Sequence, residues 1–160
     1  MGEIVRLDEN YLDQLAKIDS ESGHEMGKAR RVTLQKYKTE LIERFNRGHE
    51  LFFGYKENGL LKGYVTLIPF FPGHKHCEVY WLSVRKTFQG KGIGTALMTF
   101  IEDYARKLGL RKVCLYTNKE MDGVRKFYEK LGYVLINEFS DYYGYTDVLK
   151  NTAVLYAKVL

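Results

Sequence analysis

The chain has 160 residues, which is enough for one domain with a single hydrophobic core. Its composition is globular, with 45% hydrophobic residues, and no apolar stretch approaches the roughly 20 residues that a membrane span needs. We therefore expect one domain over residues 1–160 and no membrane association. The N-terminus lacks the apolar core of a signal peptide, which predicts a cytoplasmic location.

The formal net charge of +5 arises from 25 Lys and Arg residues against 20 Asp and Glu residues. A basic nucleic-acid-binding protein is one interpretation of this charge. The basic residues are spread along the chain without a dense tract, however, so solubility and attraction for an anionic cofactor explain as much. We predict no nucleic-acid partner.

The two cysteines, Cys77 and Cys114, both lie in apolar, strand-like runs. Two buried thiols are a better interpretation of this placement than a disulfide, a metal site or a nucleophile. The sequence predicts no metal centre.

The first part of the chain predicts a strand, a helix and a loop. Residues 3–7 are strand-like, and Asp8 or Asn10 can cap a helix that ends near Ser20. Residues 20–31 have no periodicity and contain two glycines, which predicts a mobile loop.

A second helix and a hairpin follow. Thr33 caps this helix and Gly48 ends it. Residues 50–70 predict a β-hairpin with Asn58 and Gly59 in its tight turn. A proline-containing connection then leads into the apolar strand CEVYWLSV.

A basic turn and a glycine cluster, QGKGIGT, separate that strand from an amphipathic helix. Apolar residues recur every three or four positions from Ile93 to Leu108, and Gly109 supplies the stop. The glycines allow backbone N–H groups to crowd together at the N-terminus of the helix, where the macrodipole places partial positive charge. The pattern predicts a phosphate-binding turn.

The last part contains a strand, RKVCLYT, a helix that runs into FYEKLGY, a tyrosine-rich loop, SDYYGYTDVLKN, and a final strand, TAVLYAKVL. The predicted order is β-α-α-β-β-β-α-β-α-β-β. This is an α/β fold with a mixed sheet and helices on both faces.

Two common glycine motifs do not fit the cluster. A P-loop requires Lys followed by Ser or Thr after its second glycine, and the dinucleotide fingerprint requires a third glycine where Thr95 or Leu97 stands. The motif that fits is Q-x-x-G-x-G, formed by Gln89, Gly92 and Gly94.

This motif resembles the acyl-CoA binding motif of the GCN5-related N-acetyltransferases, the GNAT superfamily. The pattern FYEKLGY, residues 127–133, resembles the later helix-to-strand signature of that superfamily. The two motifs stand in the right order, with a short strand between them, and together cover roughly residues 78–133. The resemblance implies a GNAT-like fold and acetyl-CoA as the co-substrate.

The resemblance also implies where coenzyme A binds. Backbone N–H groups of the glycine turn would hold its pyrophosphate, with added charge from Lys91, and the backbone of the preceding strand would pair with the pantetheine arm as an added strand. The neighbouring Arg85 and Lys86 fit an ordinary solvated basic turn. The implied cofactor-binding residues are Leu82, Val84, Gln89, Gly90, Lys91, Gly92, Gly94 and Thr95.

Tyr128 holds the position of FYEKLGY at which similar enzymes carry the tyrosine that protonates the departing thiolate. A phenol with a pKa near 10 is protonated at neutral pH and can act as this acid. The alternative is that Tyr128 is only a core residue. The resemblance favours the general acid.

Glu78 is the candidate general base, because it precedes Gln89 at the separation at which histone acetyltransferases of this superfamily carry a catalytic glutamate. Apolar neighbours could raise its pKa to a useful value. The alternatives are a solvated carboxylate, a salt bridge to Lys75, or a water chain in place of a fixed base. His74 and His76 are better interpreted as surface histidines.

The chain departs from the superfamily pattern at one position. Similar proteins usually carry an asparagine about seven residues before the tyrosine, where this chain has Met121. The next residue, Asp122, is predicted to cap the helix over residues 123–131, and Asn118 is displaced by three positions.

The predicted function is transfer of an acetyl group from acetyl-CoA to a primary amine by direct attack in a ternary complex. A non-catalytic domain that binds or senses acyl-CoA is the alternative. The acceptor could be a small molecule or a protein or peptide amine, and a homodimer through the last strand is a further hypothesis. An aromatic, acidic rim for a cationic amine could be formed by Tyr142, Tyr143, Tyr145, Glu138, Asp141 and Asp147, although a surface loop or dimer contact is simpler.

Overall fold

The computed structural model describes residues 1–22, 32–144 and 151–160. In these ranges seven strands and four helices follow one another in the predicted order, β-α-α-β-β-β-α-β-α-β-β. The strands are β1 Glu3–Leu7, β2 Leu51–Glu57, β3 Leu60–Pro69, β4 His76–Val84, β5 Lys112–Asn118, β6 Val134–Phe139 and β7 Ala153–Val159. The helices are α1 Leu12–Glu21, α2 Leu34–Arg47, α3 Ile93–Lys107 and α4 Asp122–Lys130.

The seven strands form one mixed sheet in the order β1-β2-β3-β4-β5-β7-β6. Every neighbouring pair is antiparallel except β4 and β5, which are parallel. The helix α3 makes the crossover between these two strands, as a parallel connection requires. The predicted α/β fold with a mixed sheet is confirmed.

Helices pack on both faces of the sheet. One face buries Leu67 and Val79 against Leu97 and Ile101 of α3, and the other buries Phe52 against the helices α1 and α2. Each fully buried side chain of this size stabilises the fold by about 1.5–3 kcal/mol. Both faces of the sheet are therefore covered by hydrophobic core. A functional site must lie elsewhere, and the sheet has a gap between two of its strands.

That gap lies between β4 and β5. The two strands pair only along His76–Val79 and Lys112–Leu115, although each continues beyond these residues. In the described part of the chain, no strand pairs with residues 80–84 of β4 on this side. The unpaired edge of β4 is thus available to another extended group.

A β-bulge marks the point where β4 turns away from β5. Thr66 pairs with Trp81 and Leu67 pairs with Val79, so Tyr80 is the extra residue. A bulge re-aims the side chains around it and increases the local twist. It stands two residues beyond Glu78, at the beginning of the gap.

Most of the predicted caps and turns are confirmed. The Thr33 hydroxyl accepts a hydrogen bond from the Lys36 N–H at 3.2 Å, and Gly48 ends α2 in the left-handed conformation with φ 71°. Asn58 and Gly59 have φ values of 52° and 76°, as the tight turn of a two-residue hairpin requires.

Two boundaries differ from the predictions. Asp122 is the first residue of α4 rather than its cap, and its carboxylate lies 3.8 Å from the Arg125 guanidinium one turn later. The helix α1 ends at Glu21, so the first residues of the predicted loop are helical. The rest of that loop, residues 23–31, lies outside the described residues.

Both cysteines are buried and free, as the sequence predicts. Burial raises the pKa of the Cys77 thiol to about 12, so this thiol is protonated and unreactive at neutral pH. In the described ranges, no helix has the length and apolar content that crossing a membrane requires.

Candidate active site

A groove of about 1310 Å³ occupies the gap between β4 and β5 and extends to the helices α1 and α2. It is lined at one end by the glycine turn and at the other by Glu78 and several tyrosines. The predicted residues that line it are Glu78, Leu82, Val84, Gln89, Gly90, Gly92, Gly94, Thr95 and Tyr128. The gap in the sheet thus brings nearly all of the predicted site together.

The glycine turn leaves backbone N–H groups available at the start of α3. Gly90 and Gly92 adopt left-handed conformations with φ values of 73° and 80°, and apart from their chain neighbours no atom of the described residues lies within 4 Å of a Cβ placed on either. Gly92 is the N-cap, and no side chain caps the helix there. The turn therefore combines open space, backbone donors with no recorded partner among the described residues and the positive end of a helix dipole, which suit a phosphate group.

Gly94 has a different structural reason to be glycine. A Cβ at this position would lie 3.2 Å from Cζ of Phe127 in α4. The missing side chain lets α4 pack closely against the first turn of α3, while Thr95 beside it is exposed in the groove. The second motif is thereby held against the first.

Gln89 connects three parts of the site. Its side-chain amide donates to the Val84 carbonyl at 2.9 Å and to the Ser22 carbonyl at 2.8 Å. These two bonds fix the turn to the end of β4 and to the residue that follows α1. The glutamine of the motif therefore has a structural role that the motif alone does not reveal.

The basic residues near the turn do not act alike. Lys91 is exposed with its Nζ 5.4 Å from the centre of the Phe88 ring, outside the residues that line the groove. Arg85 is buried, which contradicts the interpretation of a solvated turn. Its Nε donates to the Leu61 carbonyl at 3.0 Å and its Nη1 lies 3.0 Å from Glu21, so its charge is already neutralised.

Tyr128 lies on α4 and is buried with 7% of its surface exposed. It packs edge-on against Phe127 and Tyr133, with ring centres 5.1 and 5.8 Å away. Burial raises the pKa of its phenol well above the usual value, so the hydroxyl holds its proton at neutral pH. A buried phenol that also lines the groove can donate a proton to a group bound there.

Glu78 lies on the opposite face of β4 from the α3 core and is only 7% exposed. Burial, followed by the charge of Glu50, raises its pKa from 4.5 to about 7. The solvated carboxylate and the salt bridge to Lys75 are therefore wrong. A carboxyl with this pKa is partly ionised at neutral pH and can take up a proton.

A buried ion pair packs against the bulge of β4. Arg44 of α2 contacts Glu50 through two nitrogens, one of them Nε at 3.0 Å from Oε2. The same guanidinium lies over the rings of Tyr80 and Trp81, 5.2 and 5.4 Å from their centres. The helix α2 thereby holds the bulged residues of β4 in place.

Asp19 of α1 forms a second buried polar contact with β3 and β4. Its carboxylate accepts hydrogen bonds from the Tyr64 hydroxyl at 2.7 Å and from Trp81 Nε1 at 3.0 Å. Burial raises its pKa to about 6, although these hydrogen bonds act in the opposite direction. The contact fixes α1 beneath the groove.

Sequence reasoning missed both of these contacts, but a signal was present. Asp19 continues the apolar stripe of Leu15 and Ala16, and Arg44 continues the stripe of Tyr37 and Leu41. A charged residue on the buried stripe of a helix predicts a buried partner, since an unpaired charge there is costly.

Together, the fold and the groove define a class of protein in which an open glycine turn lies beside the unpaired edge of a central strand. The sequence profile of the Acetyltransferase (GNAT) family matches residues 12–133, and this chain belongs to that family. The match covers both motifs and the whole of the gap between β4 and β5.

Individual relatives agree with this assignment. An uncharacterized N-acetyltransferase of Methanocaldococcus jannaschii is 34% identical over 91 residues, which cover 54% of this chain and 40% of that protein. The matched region is thus less than half the length of that relative.

Solved structures of other proteins share this fold. The ribosomal-protein-S18-alanine N-acetyltransferase of Escherichia coli has a TM-score of 0.78 at 20% identity, covering 99% of this chain and 94% of that one. The PaiA N-acetyltransferase of Thermoplasma acidophilum, solved in complex with coenzyme A, has a TM-score of 0.72 at 20% identity, covering 100% and 99%.

Proposed function

We propose that residues 1–160 act as one N-acetyltransferase domain, which transfers an acetyl group from acetyl-CoA to a primary amine by direct attack in a ternary complex. The observation that carries this proposal is the gap in the sheet, which joins the open glycine turn to a buried carboxylate and a buried phenol. The coenzyme A complex of the Thermoplasma acidophilum relative supports acyl-CoA as the ligand of this groove.

The chain's own groups fit coenzyme A. The uncapped N–H groups from Gly90 to Thr95 would bind its pyrophosphate, each favourable charge at the helix end contributing about 0.3–1 kcal/mol. The unpaired edge of β4 at Leu82 and Val84 would hydrogen-bond the amides of its pantetheine arm in the manner of an added strand. Lys91 would add charge from outside the groove. When bound, acetyl-CoA supplies an acyl group activated as a thioester.

The acceptor must lose a proton before it can attack. An alkylamine with a pKa of about 10.4 is neutral in only about one molecule in 2,500 at pH 7, a deficit of about 4.6 kcal/mol. In the proposed mechanism, Glu78 accepts this proton, because its pKa of about 7 leaves the carboxylate available near neutral pH.

The sulfur that departs needs a proton in turn. In the proposed mechanism the Tyr128 hydroxyl donates it, since burial keeps this phenol protonated at neutral pH. A thiol with a pKa of about 8.5 is a better acid than the phenol, so the transfer requires a short contact in the groove rather than a favourable equilibrium. Because Tyr128 lines the groove, its hydroxyl would lie close to a sulfur bound there.

The test combines binding with turnover. Calorimetry should detect coenzyme A binding, and a thiol-reactive dye should detect thiol release when acetyl-CoA is mixed with a panel of primary amines. Stabilisation by acetyl-CoA without thiol release from any amine would favour the non-catalytic acyl-CoA binding domain. The absence of any binding heat at saturating coenzyme A would refute both.

A further inference from the structure

Three tyrosine rings line the same groove as Glu78, and the charge of Glu78 acts on two of them, Tyr116 and Tyr142. The three rings belong to Tyr80, Tyr116 and Tyr142, and we refer to these three residues as the tyrosine cage. Glu78 precedes Val84 by six residues of strand, which places it about 20 Å from the last residue of β4. The cage therefore lies at the acceptor end of the groove.

The register of the sheet explains why the rings meet there. Glu78 of β4 pairs with Cys114 of β5, so Tyr116, two residues later, lies on the same face of the sheet as Glu78. The bulge turns Tyr80 toward that face, where its ring lies under the Arg44 guanidinium. Two strands thus contribute one ring each, on either side of the gap.

The third ring comes from the segment that follows β6. Tyr142 stacks on Tyr116 with ring centres 5.3 Å apart and an angle of 15° between their planes. Tyr142 remains 48% exposed and Tyr80 43% exposed, so each ring presents a large surface to the groove or its mouth. Burial, and then the charge of Glu78, raise the pKa of Tyr116, which keeps this ring neutral.

Glu78 supplies the charge of the cage. Only 7% of the surface of Glu78 is exposed, and the residue lines the groove. In the described residues, no hydrogen bond or cation lowers its pKa, and burial and the like charge of Glu50 raise it. A carboxylate that is buried, unpaired and turned toward a groove lacks the cation that would stabilise it.

We propose that the tyrosine cage and Glu78 bind an alkylammonium group, so that the acceptor of this enzyme is a cationic aliphatic amine. The negative faces of aromatic rings attract an ammonium group and give no such attraction to a neutral group of the same shape. This inference rests on the proposed function for the identity of the amine as acceptor, although binding of the cation can be measured without turnover.

The test compares two probes that differ only in charge. Choline carries a trimethylammonium group and has no N–H to acetylate, and 3,3-dimethylbutan-1-ol is its uncharged carbon analogue. With the protein saturated by coenzyme A, choline should bind about 10-fold more tightly than the alcohol, a difference of about 1.4 kcal/mol. Equal affinities in a calorimetric or chemical-shift titration would overturn the proposal.

Two substitutions at Tyr142 distinguish the effect of the aromatic ring on cation binding from the effect of its hydroxyl. Tyr142→Leu should reduce the preference for choline about fivefold and leave the affinity for the neutral alcohol and for coenzyme A unchanged. Tyr142→Phe, the matched control, should keep the preference because it keeps the ring. Tyr142 is half-exposed, so both variants should melt close to the parent temperature. A Leu variant that retains the full preference would remove Tyr142 from the cage.

The outcomes also separate this inference from the proposed function. A preference for choline with no thiol release from any amine would support the cage and refute the acetyltransferase. Thiol release from primary amines without a preference for choline would support the acetyltransferase and refute the cage.

Discussion

Glu78 and Glu50 are two buried carboxylates that lie close enough for their charges to interact. Burial first, and then the charge of Glu50, raise the pKa of Glu78 to about 7, while the Arg44 guanidinium pairs with Glu50. Glu50 thus has a cationic partner, whereas Glu78 has a pKa near neutral pH and lines the groove. This arrangement is suited to a general base that opens onto the groove.

The pH dependence of turnover should follow the ionisation of Glu78. Because only the carboxylate can accept a proton, kcat/KM should fall below about pH 7, where Glu78 becomes protonated. In Glu78→Gln this acidic limb should disappear, and turnover at pH 8 should decrease about 100-fold or more. Thiol release measured from pH 5.5 to 9 checks both expectations.

Glu43→Gln is the matched control for that experiment, because Glu43 is an exposed carboxylate that also lines the groove. Its acidic limb should match that of the parent. An acidic limb that persists unchanged in Glu78→Gln would remove Glu78 from the mechanism and favour a water chain.

The same ionisation should cost stability. The pKa of Glu78 is about 7 in the folded state against 4.5 ordinarily, so between these values the folded state binds more protons than the unfolded state. The free energy of unfolding should therefore fall as pH rises through this window, by about 3 kcal/mol from this group. Glu78→Gln has no such ionisation and should be more stable than the parent at pH 8 by up to this amount.

Urea unfolding at pH 4.5 and at pH 8 measures this difference. The contribution of Asp19, whose pKa of about 6 acts in the same direction, is common to both proteins and cancels. A Glu78→Gln variant that is less stable than the parent at pH 8 would contradict the raised pKa.

The buried pair of Arg44 and Glu50 should show strong coupling. Arg44→Met leaves Glu50 buried without its partner, which should reduce the free energy of unfolding by about 3–5 kcal/mol. The double variant Arg44→Met with Glu50→Gln leaves no uncompensated charge, so it should be more stable than Arg44→Met alone. A double-mutant cycle by urea unfolding measures the coupling, and losses that simply add would contradict it.

Much of the fold could be predicted from local sequence signals. The caps at Thr33 and Gly48 and the turn at Asn58 and Gly59 depend on the chemistry of single residues and their neighbours. The order of strands and helices follows from hydrophobic periodicity, which is also local. These predictions are confirmed because nothing distant in the chain competes with them.

The remaining features depend on contacts between residues that are far apart in sequence. The bulge at Tyr80 is set by the pairing of β3 with β4, and the stacking of Tyr142 on Tyr116 brings together a segment after β6 and a strand of the sheet centre. The predicted aromatic, acidic rim for a cationic amine likewise depends on contacts that local sequence signals do not predict. Glu138 pairs with Lys119 at 2.7 Å, and Tyr145 and Asp147 lie outside the described residues.

Tyr128→Phe should show whether Tyr128 is a proton donor or only a core residue. Phenylalanine keeps the buried ring and its contacts and removes only the hydroxyl, so the fold should be retained. If this hydroxyl protonates the departing sulfur, the single-turnover rate of thiol release should fall about 100-fold with coenzyme A affinity unchanged.

Tyr133→Phe is the matched control, because Tyr133 packs against Tyr128 but its hydroxyl donates to Glu102 at 3.2 Å. It should lose about 1 kcal/mol of stability and none of its single-turnover rate. Equal rates in the parent and Tyr128→Phe would leave Tyr128 as a core residue only.

The glycine turn offers a comparison between two glycines with the same backbone conformation. Gly92 and Gly48 have φ values of 80° and 71°, and in residues 1–22, 32–144 and 151–160 no atom outside their chain neighbours lies within 4 Å of a Cβ on either. An alanine at each position should therefore cost about the same stability, about 1 kcal/mol from left-handed strain.

Only at Gly92 would the added methyl group stand where a phosphate must approach the uncapped N–H groups of α3. We expect Gly92→Ala to weaken coenzyme A binding about 10-fold or more by calorimetry and Gly48→Ala to leave it unchanged, because Gly48 ends α2 outside the groove. If the two variants lose the same stability and both retain the parent affinity for coenzyme A, the pyrophosphate does not bind at this turn.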